Sequence, residues 1–129
     1  MAIKSFELTH YIEIAKQVAL VGGAEALKYF RSKDLGVENK SIAKFDPVSL
    51  ADIRTEEVMR REIMAKFPQD GITGEEHESL NGTSGINWII DPIDGTRAFI
   101  SGAPSWGILV AVNDGTGPFV GVIYHPFTD

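Results

Sequence analysis

Apolar positions recur at three- and four-residue steps through the first quarter of the chain. Tyr11, Ala15, Val18, Ala19, Ala26, Leu27 and Phe30 fall on one face of a helix predicted over 7–31. Thr9 is its predicted N-cap. The pair Gly22-Gly23 costs about 1 kcal/mol per Gly relative to Ala. Either the helix breaks there, or small residues admit the close approach of another helix. A polar connection over 33–47 follows, with a short strand around 37–39. Helical periodicity returns over 49–67, where Ile53, Val58, Ile63 and Phe67 are the expected inward set. Ser49 stands at its start, Asp52 suits the positive end of the helix dipole, and Pro68 ends it.

Beyond Pro68 the pattern becomes that of strands. Residues 72–73, 86–90, 106–112 and 119–124 are apolar runs separated by clusters of Gly, Asn, Asp and Ser. Asn113-Asp114-Gly115-Thr116-Gly117-Pro118 predicts a turn between antiparallel neighbours. Two helices followed by a run of strands indicate an α+β layered domain. The chain stops at His125-Pro126-Phe127-Thr128-Asp129 without a closing element, so a piece of a longer protein is the expectation.

At 129 residues and 43% hydrophobic, the chain suffices for one domain with a real core. It has no apolar run near the roughly 20 residues of a membrane helix. It also lacks the basic-then-apolar pattern of a secretory leader. With no Cys, disulfides, thiolate metal sites and Cys nucleophiles are excluded together, and a cytoplasmic location fits. A net charge of −6 argues against nucleic-acid binding. Most of the acidic residues are expected to be solvated, but an acidic protein that handles a phosphate needs cations to bridge the charge.

The chemistry concentrates in Trp88-Ile-Ile-Asp91-Pro-Ile-Asp94-Gly-Thr96-Arg-Ala-Phe99. Hard cations take oxygen ligands, and Mg²⁺ uses one or two carboxylates plus phosphate and water. Pro92 suits the second position of a type I turn, which would fold Asp91, Asp94 and the Ile93 carbonyl toward one point. Taken alone, D-P-x-D is more often an Asp-rich turn, with Asp94 capping a short helix over 96–100. Gly74-Glu75-Glu76 ends a preceding strand. Its Glu would complete a metal site, although a Glu pair by itself is usually a solvated loop. Thr96 offers a hydroxyl to hold water, and Gly95 lets the backbone approach a phosphate at the start of that helix. Asp52 is adequately explained by dipole complementarity. His10, His77 and His125 have no ligand spacing, and neither a nucleophile elbow nor a P-loop is present.

In combination these pieces resemble the inositol monophosphatase family. The matching segments are Asp46-Pro-Val-Ser-Leu-Ala-Asp52, Gly74-Glu75-Glu76 and Trp88-Ile-Ile-Asp-Pro-Ile-Asp-Gly-Thr96, in family order and spacing. The resemblance covers essentially the whole chain and about the first half of a family member. It implies the layered fold shared with fructose-1,6-bisphosphatase, here two long helices on a mostly antiparallel sheet. The implied reaction is attack of a metal-activated water on a small phosphate monoester, with no covalent enzyme intermediate.

By the resemblance, Glu75, Asp91 and the Ile93 carbonyl hold a first Mg²⁺ and Asp91 with Asp94 a second. Glu75 also helps hold a third ion, and Mn²⁺ is an alternative metal. Thr96 paired with Asp52 positions the water, and Gly95-Thr96 amides bind phosphate. A site lysine is expected at Lys40 or Lys44. Family members are commonly homodimers, and a surface exposed by truncation would favour self-association. Two departures follow. A further second-metal aspartate and most substrate-selecting residues belong to the C-terminal half of the family pattern, which this chain lacks. Arg97-Ala98-Phe99 resembles the histidinol-phosphate phosphatase branch more than inositol-selective members, and makes Arg97 a candidate for a substrate anion or for an acid across an interface. The competing readings are a non-catalytic or regulatory relative that keeps partial cation binding, and a 3′-phosphoadenosine phosphatase, whose branch usually has Lys-Glu in place of Arg97-Ala98.

Overall fold

The structure is a computed structural model that describes residues 5–32, 38–39, 47–48 and 50–128, with the backbone alone at 38–39 and 47–48. The element order is α1 (Ser5–Leu27), β1 (Glu38–Asn39), β2 (Pro47–Val48), α2 (Leu50–Lys66), β3 (Gly71–Thr73), β4 (Asn87–Asp94), α3 (Thr96–Ser101), β5 (Gly107–Asn113) and β6 (Pro118–Tyr124). β3, β4, β5 and β6 form one sheet in that order. β3 runs parallel to β4 and the other pairs are antiparallel, so the sheet is mixed. β1 and β2 make a separate antiparallel pair. This is the α+β arrangement expected, with α1 and α2 packed together on one sheet face. Lys40, Lys44, Asp46 and Ser49 lie outside the described residues.

α1 is uninterrupted through Gly22-Gly23. A Cβ at Gly22 would lie 2.8 Å from Met59 Cγ on α2, and one at Gly23 would lie 2.5 Å from the Tyr124 ring. Both glycines therefore serve close approach, one to the second helix and the other to the last strand. Thr9 is not an N-cap: the helix already runs at Ser5, and the Thr9 hydroxyl donates to the Ser5 carbonyl one turn back at 3.0 Å. The helix ends at Leu27, short of the predicted 31. Arg31 then turns the chain in the left-handed region (φ 61°), where a residue with a Cβ is uncommon. Its Nε donates to the Gly102 carbonyl at 3.1 Å, and its guanidinium lies over Phe127 at 4.6 Å.

The core is aromatic at two ends. Tyr11 stacks on Phe67 at 4.2 Å beside Trp88, while Phe99 meets Trp106 edge-on at 4.9 Å beside Phe30. Trp88, Trp106 and Phe99 are fully buried. Each contributes at least the roughly 1.5–3 kcal/mol of a large apolar side chain.

The inward stripe of α2 differs from the expected one. Ala51, Asp52, Thr55, Glu56, Met59 and Ile63 are buried, whereas Ile53 and Val58 are half-buried and Phe67 lies just past the helix. Positions 52, 55, 56, 59 and 63 follow helical spacing, but the first two turns of the stripe are polar. The sheet face away from the helices leaves Ile89 44% and Ile123 70% exposed.

Candidate active site

The segment expected to be a Pro turn is the end of a strand. β4 continues through Asp91, Pro92 and Ile93 to Asp94. Its pairing with β5 shifts: Asp91 faces Leu109 and Asp94 faces Gly107, so three steps on β4 match two on β5. One extra residue is thus accommodated where Pro92, which has no N–H, interrupts the ladder at no cost in donors. Pro92 and Ile93 are buried and Asp94 is exposed. The chain then passes through Gly95, which caps α3 with φ 90° and no side-chain cap, so Asp94 is not the N-cap. Gly102 at φ 83° closes the helix from the other end, its N–H reaching the Ala98 and Phe99 carbonyls.

Thr96, first in α3, faces α2. Its Oγ1 donates to Asp52 Oδ1 at 3.0 Å and lies 3.1 Å from the Ile93 carbonyl. One hydroxyl hydrogen serves these two acceptors. Asp52 is 2% exposed, too buried for a role limited to the helix dipole. The Ile93 carbonyl, expected from the family resemblance as a metal ligand, keeps one lone pair beyond the Thr96 contact.

Asp91 is the electrostatic centre of the site. Its carboxyl is pushed up to about 7, first by burial, then by the charges of Glu75, Asp94 and Asp52, and by a hydrogen bond with Asp94. Like charges gathered in a partly desolvated place hold a proton. The structure therefore brings together Asp52, Glu75, Asp91, Asp94 and Thr96. These come from α2, the loop after β3, the end of β4 and the start of α3. Glu75 and Asp91 also border a groove of about 560 Å³ lined by Ile89, Leu109, Val122 and Ile123. Arg97 is exposed on the first turn of α3.

The donor set is all oxygen, which suits a hard divalent cation rather than a soft one. The Asp91 carboxyl is raised by burial first and by the neighbouring carboxylates second. Among the described residues, no three His, Cys, Asp or Glu side chains already converge at ligand distances.

Several supporting groups carry at most a faint signal in the sequence. Glu56 is fully buried on α2 and bonds the loop that bears Glu75. The signal that marks it is its four-residue spacing from Asp52, which puts both on one face of α2. Asp70, 4% exposed, accepts from Tyr11 Oη at 2.9 Å, Trp88 Nε1 at 3.0 Å and Ser84 Oγ at 2.6 Å. The histidines make local contacts: His77 Nε2 lies 3.4 Å from the Ile53 carbonyl, His125 Nδ1 3.1 Å from the Trp106 carbonyl, and His10 packs on Phe67. No described helix is long and apolar enough to cross a membrane.

Residues 7–129 match the model of the inositol monophosphatase family. A histidinol-phosphatase of Chlorobaculum parvum is 40% identical over 119 residues, which are 92% of this chain and 45% of that protein. A fructose-1,6-bisphosphatase/inositol-1-monophosphatase of Aquifex aeolicus is 36% identical over 95% of this chain and 46% of its own length. Among solved structures, the extragenic suppressor protein suhB from Bartonella henselae superposes with a TM-score of 0.87 at 30% identity, over 93% of this chain and 46% of that one. The chain spans about half the length of these relatives.

Proposed function

Because the chain belongs to the inositol monophosphatase family, we propose that the complete protein is a Mg²⁺-dependent phosphatase of a small phosphorylated metabolite, with residues 1–129 as its metal- and phosphate-binding part. The observation that carries this reading is the Thr96 hydroxyl held on buried Asp52 beside Asp91, which burial and then the charges of Glu75, Asp94 and Asp52 push up to about 7. Glu75, Asp91, Asp94 and the Ile93 carbonyl are the residues that would hold the metal. When bound, Mg²⁺ supplies water activation and neutralisation of phosphoryl charge.

The chain's own residues supply position and proton management. With its hydrogen directed at Asp52 and the Ile93 carbonyl, Thr96 Oγ1 presents its lone pairs as an acceptor for a hydrogen of the attacking water. A proton given up by that water passes through the hydroxyl to Asp52. Burial keeps Asp52 from being solvated and holds Thr96 in one orientation. The left-handed Gly95 lets the Gly95-Thr96 amides approach the phosphate. The P–O bond to the substrate oxygen breaks as the water oxygen bonds phosphorus; the leaving alkoxide takes up a proton from solvent, Asp52 returns its own to solvent, and alcohol and inorganic phosphate result.

Histidinol phosphate is the substrate we favour. Arg97-Ala98-Phe99 and the 40% identity to a histidinol-phosphatase support it. The Aquifex aeolicus relative supports inositol phosphate as the second choice. Phosphate release by the full-length protein from both compounds, with and without Mg²⁺ and Li⁺, is the test. Mg²⁺-dependent, Li⁺-inhibited release is expected, with loss of about 10²-fold or more in kcat for Thr96→Ala. Absence of metal-dependent turnover on any small monoester overturns the reading. Asp91-dependent Mg²⁺ binding without turnover would instead mark a regulatory relative.

A further inference from the structure

Glu56 lies one helical turn after Asp52 and faces the same way, yet it touches a different part of the site. Its Oε1 accepts from the Glu76 N–H at 2.8 Å, and its Oε2 accepts from the His77 N–H at 3.0 Å and from Arg60 Nε at 2.9 Å. Arg60 Nη2 in turn donates to the His77 carbonyl at 3.2 Å. The ion pair thus grips the main chain at 76–77 on its donor and acceptor sides together. On the other side of Glu75, a Cβ at Gly74 would stand 2.5 Å from the Glu56 carboxyl carbon and 2.6 Å and 2.7 Å from its oxygens. The chain crosses the carboxylate at a distance that glycine permits and alanine does not. Glu75 is therefore bracketed, before and after, by contacts to one fully buried side chain.

A buried ion pair is weak evidence of stabilisation, because its desolvation offsets most of its attraction. What this one provides is placement. Arg60 cancels the Glu56 charge, so the anchor adds no net negative charge beside a cluster already crowded with carboxylates. We propose that Glu56 is a positioning residue: through the N–H groups of Glu76 and His77 it presents Glu75 to a divalent cation shared with Asp91. The inference rests on the metal-site reading above and adds to it the residue that sets the affinity from behind.

Titration of the full chain with Mn²⁺, followed by electron paramagnetic resonance of the free ion and paired with thermal melts, tests it. Glu56→Gln puts an amide N–H₂ against groups that themselves donate, and is expected to weaken Mn²⁺ binding by about 10- to 100-fold, the usual effect of losing a partner that orients a ligand. Gly74→Ala, which presses on the same carboxylate from the loop side, is expected to act in the same direction and stands in if Glu56→Gln does not fold. Asp70→Asn, an equally buried carboxylate away from the cluster, is expected to lower Tm and leave Mn²⁺ affinity intact. A lowered Tm with unchanged Mn²⁺ affinity in Glu56→Gln or Gly74→Ala makes Glu56 merely structural and overturns the proposal. Mn²⁺ binding that is absent, or insensitive to Asp91→Asn, in the otherwise unaltered chain overturns the metal-site reading itself.

Discussion

β4 begins and ends beside a carboxylate, and the two are treated in opposite ways. Near its start, Asp70 receives three neutral donors, from Tyr11, Ser84 and Trp88, in a closed aromatic setting. Every contact there is a hydrogen bond donated to its carboxylate, while Tyr11, buried and bonded to that carboxylate, is pushed above the ordinary tyrosine range. At the other end, Asp91 faces Glu75, Asp94 and Asp52, and its carboxyl rises to about 7. One end of the strand is finished by the chain itself. The other, on the metal-site reading proposed above, is finished by a bound cation. Local inconsistency of this kind, in a fold otherwise consistent, is where function is built.

The contrast breaks most decisively at Asp91. Asp91→Asn is expected to weaken Mg²⁺ or Mn²⁺ binding by more than about 100-fold, since it removes a ligand and its charge together. The same variant is expected to raise the Tm of the metal-free protein, because it relieves the repulsion. Calorimetric titration and melts of one preparation read both. Asp70→Ala should do the reverse, leaving metal affinity alone while costing about 3 kcal/mol by stranding buried donors, as measured by urea unfolding. A metal effect at Asp70, or a lower metal-free Tm at Asp91→Asn, would erase the distinction.

A pH series sharpens it at smaller amplitude. An aspartate titrates near 4 when unfolded, and Asp91 titrates at about 7 when folded. The native state then binds the extra proton between those values, so this group's contribution is fully present below about 4 and is lost as pH rises through 7. The metal-free protein is therefore expected to melt higher at pH 5 than at pH 8 from this source. Asp91→Asn should flatten that slope, and saturating Mg²⁺ should restore Tm mainly at the alkaline end. The smallest effect concerns Thr55, whose buried hydroxyl has no hydrogen-bond partner among the described residues and lies between the two anchoring carboxylates of α2. Thr55→Val is expected to leave metal affinity unchanged and shift stability by no more than about 1 kcal/mol, in the favourable direction.

Much of this was legible in the chain. The strand positions, the turn at 113–118 and the grouping of Glu75, Asp91, Asp94 and Thr96 follow from period and from a specific combination of short segments. What escaped did so for physical reasons. Pro92 predicts a turn from its own φ, but a register shift lets a strand carry it where no donor is needed. Ile53 and Val58 read as core because they are apolar, whereas Asp52 and Glu56 took the inward stripe because other segments bond to them there. Periodicity reports where side chains point, not which partner has made a charge welcome. Thr9 reads as a cap because capping and back-bonding to the preceding turn use the same residue types.

The shared stripe on α2 has a consequence for how this chain tolerates change. Asp52 holds Thr96, Glu56 holds the loop of Glu75, and Met59 and Ile63 anchor the helix to the core, all on one side. An insertion or deletion of one residue turns everything beyond it by about 100°. Made between Glu56 and Met59, it would set the polar pair against the apolar pair, and no rotation of the helix would satisfy both. Length variation should therefore be purged from the middle of this helix and accepted at the β5–β6 tip, where a Cβ on Gly115 or Gly117 would meet nothing within 4 Å.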